Sequence, residues 1–228
     1  MTLPVVRVFV GTPAYRGIEV ATARSLLELA WAVDAERGID VEPKFRLELV
    51  GFGLQEGYGW ARNAEAEAEI AVRLGADVFL HVEADVSFAP ADVVRLVETW
   101  ALNFRLGVVG AMYRSSRGGP MVGRLVGMRH VNAAGEPDPD GAFTAAQDVD
   151  DIGPHAVQAD RLGFGFIAIP VSLLKQLQGE RGYAFEETTR GAAAGFGDAS
   201  FCREALARGW HLVAELRARP QHMQRVWT

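Results

Sequence analysis

Two carboxylates, Glu83 and Asp85, stand one small residue apart where the apolar run Val78-Phe79-Leu80-His81-Val82 ends. Strand side chains alternate with period two, so a strand continued to this point would aim both acids to one side. Two like charges held that close are costly unless something positive sits between them. Hard divalent cations take oxygen ligands from one or two carboxylates and complete their shell with substrate phosphates. The pair therefore suits a Mn2+ or Mg2+ ion carrying a diphosphate. A strand end with solvated acids is the plainer alternative.

Four further segments carry chemistry. Thr12-Pro13-Ala14-Tyr15 follows the first apolar run and either cradles a nucleotide or makes a plain turn. Ala61-Arg62-Asn63 opens a helix, where exposed amide N–H groups and a guanidinium suit an anion; Arg62 as a solvated charge is the alternative. Asp198 begins a helix, either as an N-cap accepting from the first amides or as a general base for an attacking hydroxyl. His222 follows the last apolar run. A lone histidine is more often packed or at the surface, and it becomes a ligand only if the C-terminal segment folds back beside Asp85.

The elements that must position these residues alternate. Pro4 to Gly11 reads as a buried strand ended by Gly11-Thr12-Pro13, and Glu19 to Glu36 as a helix closed by Gly38. Phe45 to Val50 is a strand and the glycine-rich stretch Gly51 to Gly59 a loop. A helix over Ala61 to Leu74, a strand over Val78 to Val82, a helix from Ala89 through Trp100 and a strand over Leu106 to Met112 follow. This order predicts an α/β fold, a mostly parallel central sheet flanked by helices. Tyr113 to His155 is poor in apolar runs and reads as an insertion, with a hairpin pairing Met121 to Met128 with Ala142 to Ala146. Val157 to Ile169 resumes as a strand, then come a short helix over Val171 to Gln178, a helix over Gly197 to Arg208 and a last strand over Trp210 to Leu216.

Composition bounds the function. The 228 residues, 49% hydrophobic, suffice for one domain with a sizeable core. The net charge of -6 argues against a general nucleic-acid binder. Arg203, Arg208, Arg217, Arg219 and Arg225 crowd the C-terminus and read as a solvated face. The single cysteine, Cys202, allows no internal disulfide and reads as a buried core thiol. No secretory leader is read at the N-terminus, and no apolar run nears the roughly 20 residues of a membrane span, so a cytoplasmic protein is expected.

Taken together, these segments resemble a glycosyltransferase of the GT-A fold, family-two-like and of the phage or bacterial type. The resemblance covers nearly the whole chain. Val8-Phe9-Val10-Gly11-Thr12-Pro13 is similar to the family's opening strand and nucleotide loop, and Ala61-Arg62-Asn63 to its Ala-Arg-Asn helix. Val78 to Asp85 resembles the apolar strand ending in Asp-x-Asp, and Gly163-Phe164-Gly165-Phe166 the Gly-x-Gly-Phe strand. Gly197-Asp198-Ala199-Ser200-Phe201-Cys202 resembles the acid-acid helix start followed by Phe-Cys, and His222 the late metal-binding histidine. Two departures stand out: Glu83 replaces the usual first Asp, and Gly197 replaces the acid before Asp198.

The resemblance implies a metal-dependent transfer of a sugar from a nucleotide-diphosphate donor, such as a UDP-sugar, to a hydroxyl acceptor. Asp85 and His222, supported by Glu83, would hold the metal. Thr12, Pro13, Ala14, Tyr15, Arg62, Asn63, Glu83, Asp85 and Gly165 would line the donor site. Asp198 would deprotonate the acceptor, giving inversion at the anomeric carbon. A glycan, a protein and a modified DNA base are all open as acceptors. The alternatives are a phage-type glycosyltransferase acting on hydroxylated DNA bases, a nucleotidyltransferase releasing pyrophosphate, and a non-catalytic nucleotide- or sugar-binding module.

Overall fold

The structure is a computed structural model that describes residues 3–14, 17–33, 38–41, 44–102, 107–111, 122–123, 155–186 and 197–223. Along the chain run β1 (Val5–Ala14), α1 (Val20–Ala32), β2 (Ile39–Val41), β3 (Phe45–Glu56), α2 (Trp60–Arg73), β4 (Val78–Val82), β5 (Val86–Ser87), α3 (Pro90–Leu102) and β6 (Gly107–Ala111). Then come β7 (Val122–Gly123), β8 (Ala156–Ala159), β9 (Arg161–Leu162), β10 (Phe166–Pro170), α4 (Val171–Arg181), α5 (Gly197–Ala207), β11 (His211–Glu215) and β12 (Gln221–His222).

The strands that read as unbroken apolar runs are the central ones, because a strand covered on both faces has no solvated side to keep polar. β4, β6 and β10 are buried at every position. They lie in an 8-stranded sheet of order β2-β3-β1-β4-β10-β6-β11-β8. β1, β3, β4, β6 and β11 share one direction, while β2, β10 and β8 run against it. Successive residues of one strand serve opposite faces. Val78, Leu80 and Val82 join Val8, Val10, Leu29, Leu96 and Val97 in the layer under α1 and α3. Phe79 joins Phe9, Ala64, Ala68, Leu174 and Phe201 in the layer under α2, α4 and α5.

Three expected boundaries shift, each for a packing reason. β1 and β3 both continue past their predicted ends, paired in parallel as far as Ala14 and Glu56. The glycines that read as a loop are instead a place of close approach. A Cβ on Gly53 would lie 2.9 Å from the Phe9 ring, and on Gly11 2.4 Å from the Phe79 ring. The run from Val157 to Ile169 is cut at residues 163–165, a turn between β9 and β10. The hairpin expected between Met121–Met128 and Ala142–Ala146 lies outside the described residues except for Val122 and Gly123. Those two pair with Leu162 and Arg161. No helix among the described residues is long and apolar enough to cross a membrane.

Candidate active site

Glu83 and Asp85 do not continue β4. They form a tight turn into β5, closed by the Val86 amide donating to the Glu83 carbonyl at 3.1 Å. Two outside contacts fix this turn. The Glu83 amide donates to the Gly165 carbonyl at 2.9 Å, and the Glu19 amide to the Ala84 carbonyl at 2.8 Å. The acids still meet, through turn geometry and not through the strand alternation that the spacing predicts.

The C-terminal segment folds back beside them. β12 pairs antiparallel with β5, His222 opposite Val86, and the Met223 amide donates to the Asp85 carbonyl at 2.7 Å. His222 Nε2 comes to rest 3.5 Å from Glu83 Oε2 and 3.5 Å from Asp85 Oδ1. The Glu83 carboxylate, helped by the charge of Asp85, raises the imidazole above its ordinary pKa against the opposing effect of burial. One ligand atom from each of the three residues lies within 4.8 Å of the others. Ligands of an octahedral Mg2+-sized ion stand roughly 3 Å apart when adjacent and roughly 4 Å apart when opposite, given bonds near 2.1 Å. Two oxygens and one imidazole nitrogen at this spread fit a Mn2+ or Mg2+ ion after a small inward adjustment.

The start of α2 controls the strand ends nearby. Arg62 is exposed there, whereas Asn63 is buried. The Asn63 amide group donates to the carbonyls of Ala14 at 3.0 Å and Tyr58 at 3.2 Å. Asn63 thus braces the segment that would hold a donor, instead of presenting its own side chain. Thr12, Pro13 and Ala14 are buried strand residues, not a turn, and Tyr15 lies outside the described residues. One turn further along α2, Glu67 Oε1 accepts from the amides of Thr12 and Gln55, both at 3.0 Å. Burial pushes its carboxyl up to about 8, against the lowering effect of those amides.

On the other side of turn 163–165 sits Asp198, in the first turn of α5. Its Oδ1 accepts from the Ala199 amide at 2.7 Å and lies 3.5 Å from the Arg161 guanidinium. The Ala199 bond reaches only the next residue and not the amides an N-cap holds, and Arg161 gives the carboxylate an ion-pair partner. Burial raises its pKa, and Arg161 opposes the rise. Gly165, expected in the donor site, spends its carbonyl on the Glu83 amide. Gly195 and Phe196, read with Asp198, lie outside the described residues.

β4 also carries a buried aromatic box around His81. His81 is fully buried, packed against Trp60, Phe79, Phe164 and Phe185 with ring centroids 5.6 to 6.4 Å apart. Among the described residues neither ring nitrogen has a hydrogen-bond partner, and burial pushes its pKa down to about 3. Trp60 also covers the start of α5, where a Cβ on Gly197 would lie 2.6 Å from its ring. This explains the glycine where the resemblance expects an acid.

Sequence reading missed Glu67, Arg161 and His81. Glu67 had a signal: it lies on the helical stripe of Ala64, Ala68 and Ala71, all fully buried. Arg161 had none, because only the third dimension brings β9 to α5. The arginine-rich C-terminus is not simply a solvated face. Arg208 bridges Glu180 and Glu204, and Arg217 pairs with Glu215 and Glu98; Arg225 lies outside the described residues. Cys202 is buried as expected, its thiol pushed up to about 12 by burial.

No protein-family profile matches the chain, and no curated protein matches its sequence. Solved structures do match in fold. The crystal structure of A197 from STIV superposes with a TM-score of 0.55 at 14% identity, over 96% of this chain and 86% of that one. The crystal structure of GalNAc-T7 with UDP, GalNAc and Mn2+ superposes with a TM-score of 0.62 at 11% identity, over 96% of this chain. The match spans 44% of the GalNAc-T7 chain, so less than half of that protein has a counterpart here. At these identities the likeness shows the fold, which is GT-A-like.

Proposed function

We propose that this protein is a metal-dependent glycosyltransferase that moves a sugar from a nucleotide-diphosphate donor to a hydroxyl acceptor. The observation that carries the reading is the meeting of Glu83 and Asp85 with His222, 137 positions beyond Asp85, in one ligand set at the sheet rim. The similar GalNAc-T7 structure contains UDP, GalNAc and Mn2+, which supports the same classes of donor and metal here.

Glu83, Asp85 and His222 would hold Mn2+ or Mg2+, which would neutralise charge developing on the leaving diphosphate. The chain's own residues do the rest. The end of β1, braced at Thr12 by Glu67 and at Ala14 by Asn63, would form with Pro13 and Tyr15 the wall of the nucleoside site, and Arg62 would lend positive charge to the phosphates. Asp198, made more basic by burial, takes the proton of the acceptor hydroxyl as it attacks, with inversion at the anomeric carbon. Arg161 holds that carboxylate in place. The single buried cysteine is in keeping with a reducing cytoplasm.

The test is donor turnover. Purified protein with Mn2+ and a panel of nucleotide sugars should release nucleoside diphosphate slowly, and faster with a hydroxyl acceptor. Release of pyrophosphate would instead mark a nucleotidyltransferase, and binding without any release a non-catalytic module.

A further inference from the structure

β11 ends three strands away from β4, across β6 and β10. At the spacing of neighbouring strands that gap is roughly 14 Å. The chain crosses it between Glu215 and His222, a stretch without regular structure until β12. A segment of this kind holds a side chain in place only if something fastens it on the way.

The fastening comes from one face of α3, at positions 92, 95 and 99, spaced like successive turns of a helix. Arg95 donates through one guanidinium nitrogen to the Arg217 carbonyl at 2.8 Å and to Asp92 Oδ1 at 3.2 Å. The same Asp92 oxygen accepts from the Arg219 amide at 3.1 Å, while Oδ2 accepts from the Ala89 amide at the head of the helix. Thr99 donates to Glu215, whose carboxylate also holds the Arg217 guanidinium and amide. α3 follows the turn that carries Glu83 and Asp85 after the short strand β5. The helix that follows the acid turn and β5 in the chain therefore fixes where the returning tail runs.

We infer that Asp92 and Arg95 are positioning residues for the metal centre, pinning the C-terminal segment so that His222 is delivered to Glu83 and Asp85. The inference rests on the metal reading above. Neither residue contacts the proposed ion; both act through the backbone of residues 217–219. Of the two, Arg95 is the cleaner to replace, because Asp92 also caps the helix.

The experiment combines two measurements on the full chain. Hydrogen exchange at the Met223 amide, without metal, reports whether the tail is docked. Titration with Mn2+ alone, followed by the electron paramagnetic resonance of the free ion, reports affinity. Arg95→Gln should speed exchange at Met223 and weaken Mn2+ binding about tenfold, the usual size for an outer-shell partner. In a His222→Ala background the same change should cost no further affinity. A merely structural role would lower affinity in both backgrounds. Asp92→Asn serves as the second variant if Arg95→Gln fails to fold. Unchanged Met223 exchange, unchanged affinity or an equal loss in both backgrounds overturns the inference while leaving the metal reading intact. Absence of Mn2+ binding in the unsubstituted protein overturns the metal reading and this inference with it.

Discussion

The rim of the sheet and the interior just below it handle charge in opposite ways. At the rim, Glu83, Asp85 and His222 are half-buried and set against one another, and the Glu83 hydrogen bond, aided by the opposite charges, raises the imidazole pKa. In the interior, Glu67 and His81 have no ionic partner among the described residues, and burial dominates both: the carboxyl rises to about 8 and the imidazole falls to about 3. Around neutral pH the interior pair is therefore largely uncharged. The difference shows which acids and histidines are available for chemistry. A charge balanced by neighbours and open to solvent can be exchanged for a cation, whereas one suppressed by burial serves to shape the wall.

Breaking the rim should give the largest effect. Asp85→Ala removes one of three protein ligands, and both Mn2+ binding and nucleoside diphosphate release should vanish. Retained turnover in that variant would remove the metal reading. Asp198→Asn should lower acceptor-dependent transfer by about 10²–10⁴-fold, the usual contribution of a general base, with Mn2+ affinity within about twofold of the unsubstituted protein. Steady-state rates beside a Mn2+ titration separate the two roles; a parallel loss of metal would contradict the division of labour.

The interior is probed by stability against pH. The folded Glu67 carboxyl, at about 8, lies above its unfolded value of 4.5, so the folded state holds the proton more tightly. Its contribution is fully present below the unfolded value and is lost as pH rises through the folded one. Thermal unfolding midpoints should fall across that window, and Glu67→Gln, which keeps an acceptor for Thr12 and Gln55, should flatten the fall. An equally steep fall in the variant would show that Glu67 is not the titrating group. His81 has the opposite sign. Its folded value lies below the ordinary 6.5, so stability is lost as pH drops from there toward about 3. His81→Phe replaces two unpartnered ring nitrogens with carbon inside an aromatic box. It should stabilise by about 1–3 kcal/mol, the cost of a buried polar group left unmade. Denaturant melts at pH 5 and pH 7 would check this, and a destabilised variant would point to a role for the ring nitrogens.

Much of this was readable from residue types. The unbroken apolar run from Val78 to Val82 marked a central strand, and Glu83-Ala84-Asp85 marked where it ends. Asp198 read correctly as the acid of a helix start. Other features misled for definite reasons. Gly51 and Gly53 looked like a loop, because sequence alone does not tell a glycine that turns from one that lets Phe9 approach. Asn63 looked like a donor contact, yet its amide turns inward to Ala14 and Tyr58. Arg161 stayed silent because a basic residue in a short strand has no periodic or local signature.

The sequence by itself determined which layers form, since burial on two faces demands apolar runs and burial on one demands a stripe. It also placed Glu83 and Asp85 one residue apart at the end of β4, but the turn into β5, held by Gly165 and Glu19, is what brings them together. Only the tertiary structure decided that His222 joins them. A histidine 137 positions beyond Asp85 gains nothing from local preference. Its place is set by β5 pairing with β12, and by side chains of α3 that hold the tail along the way.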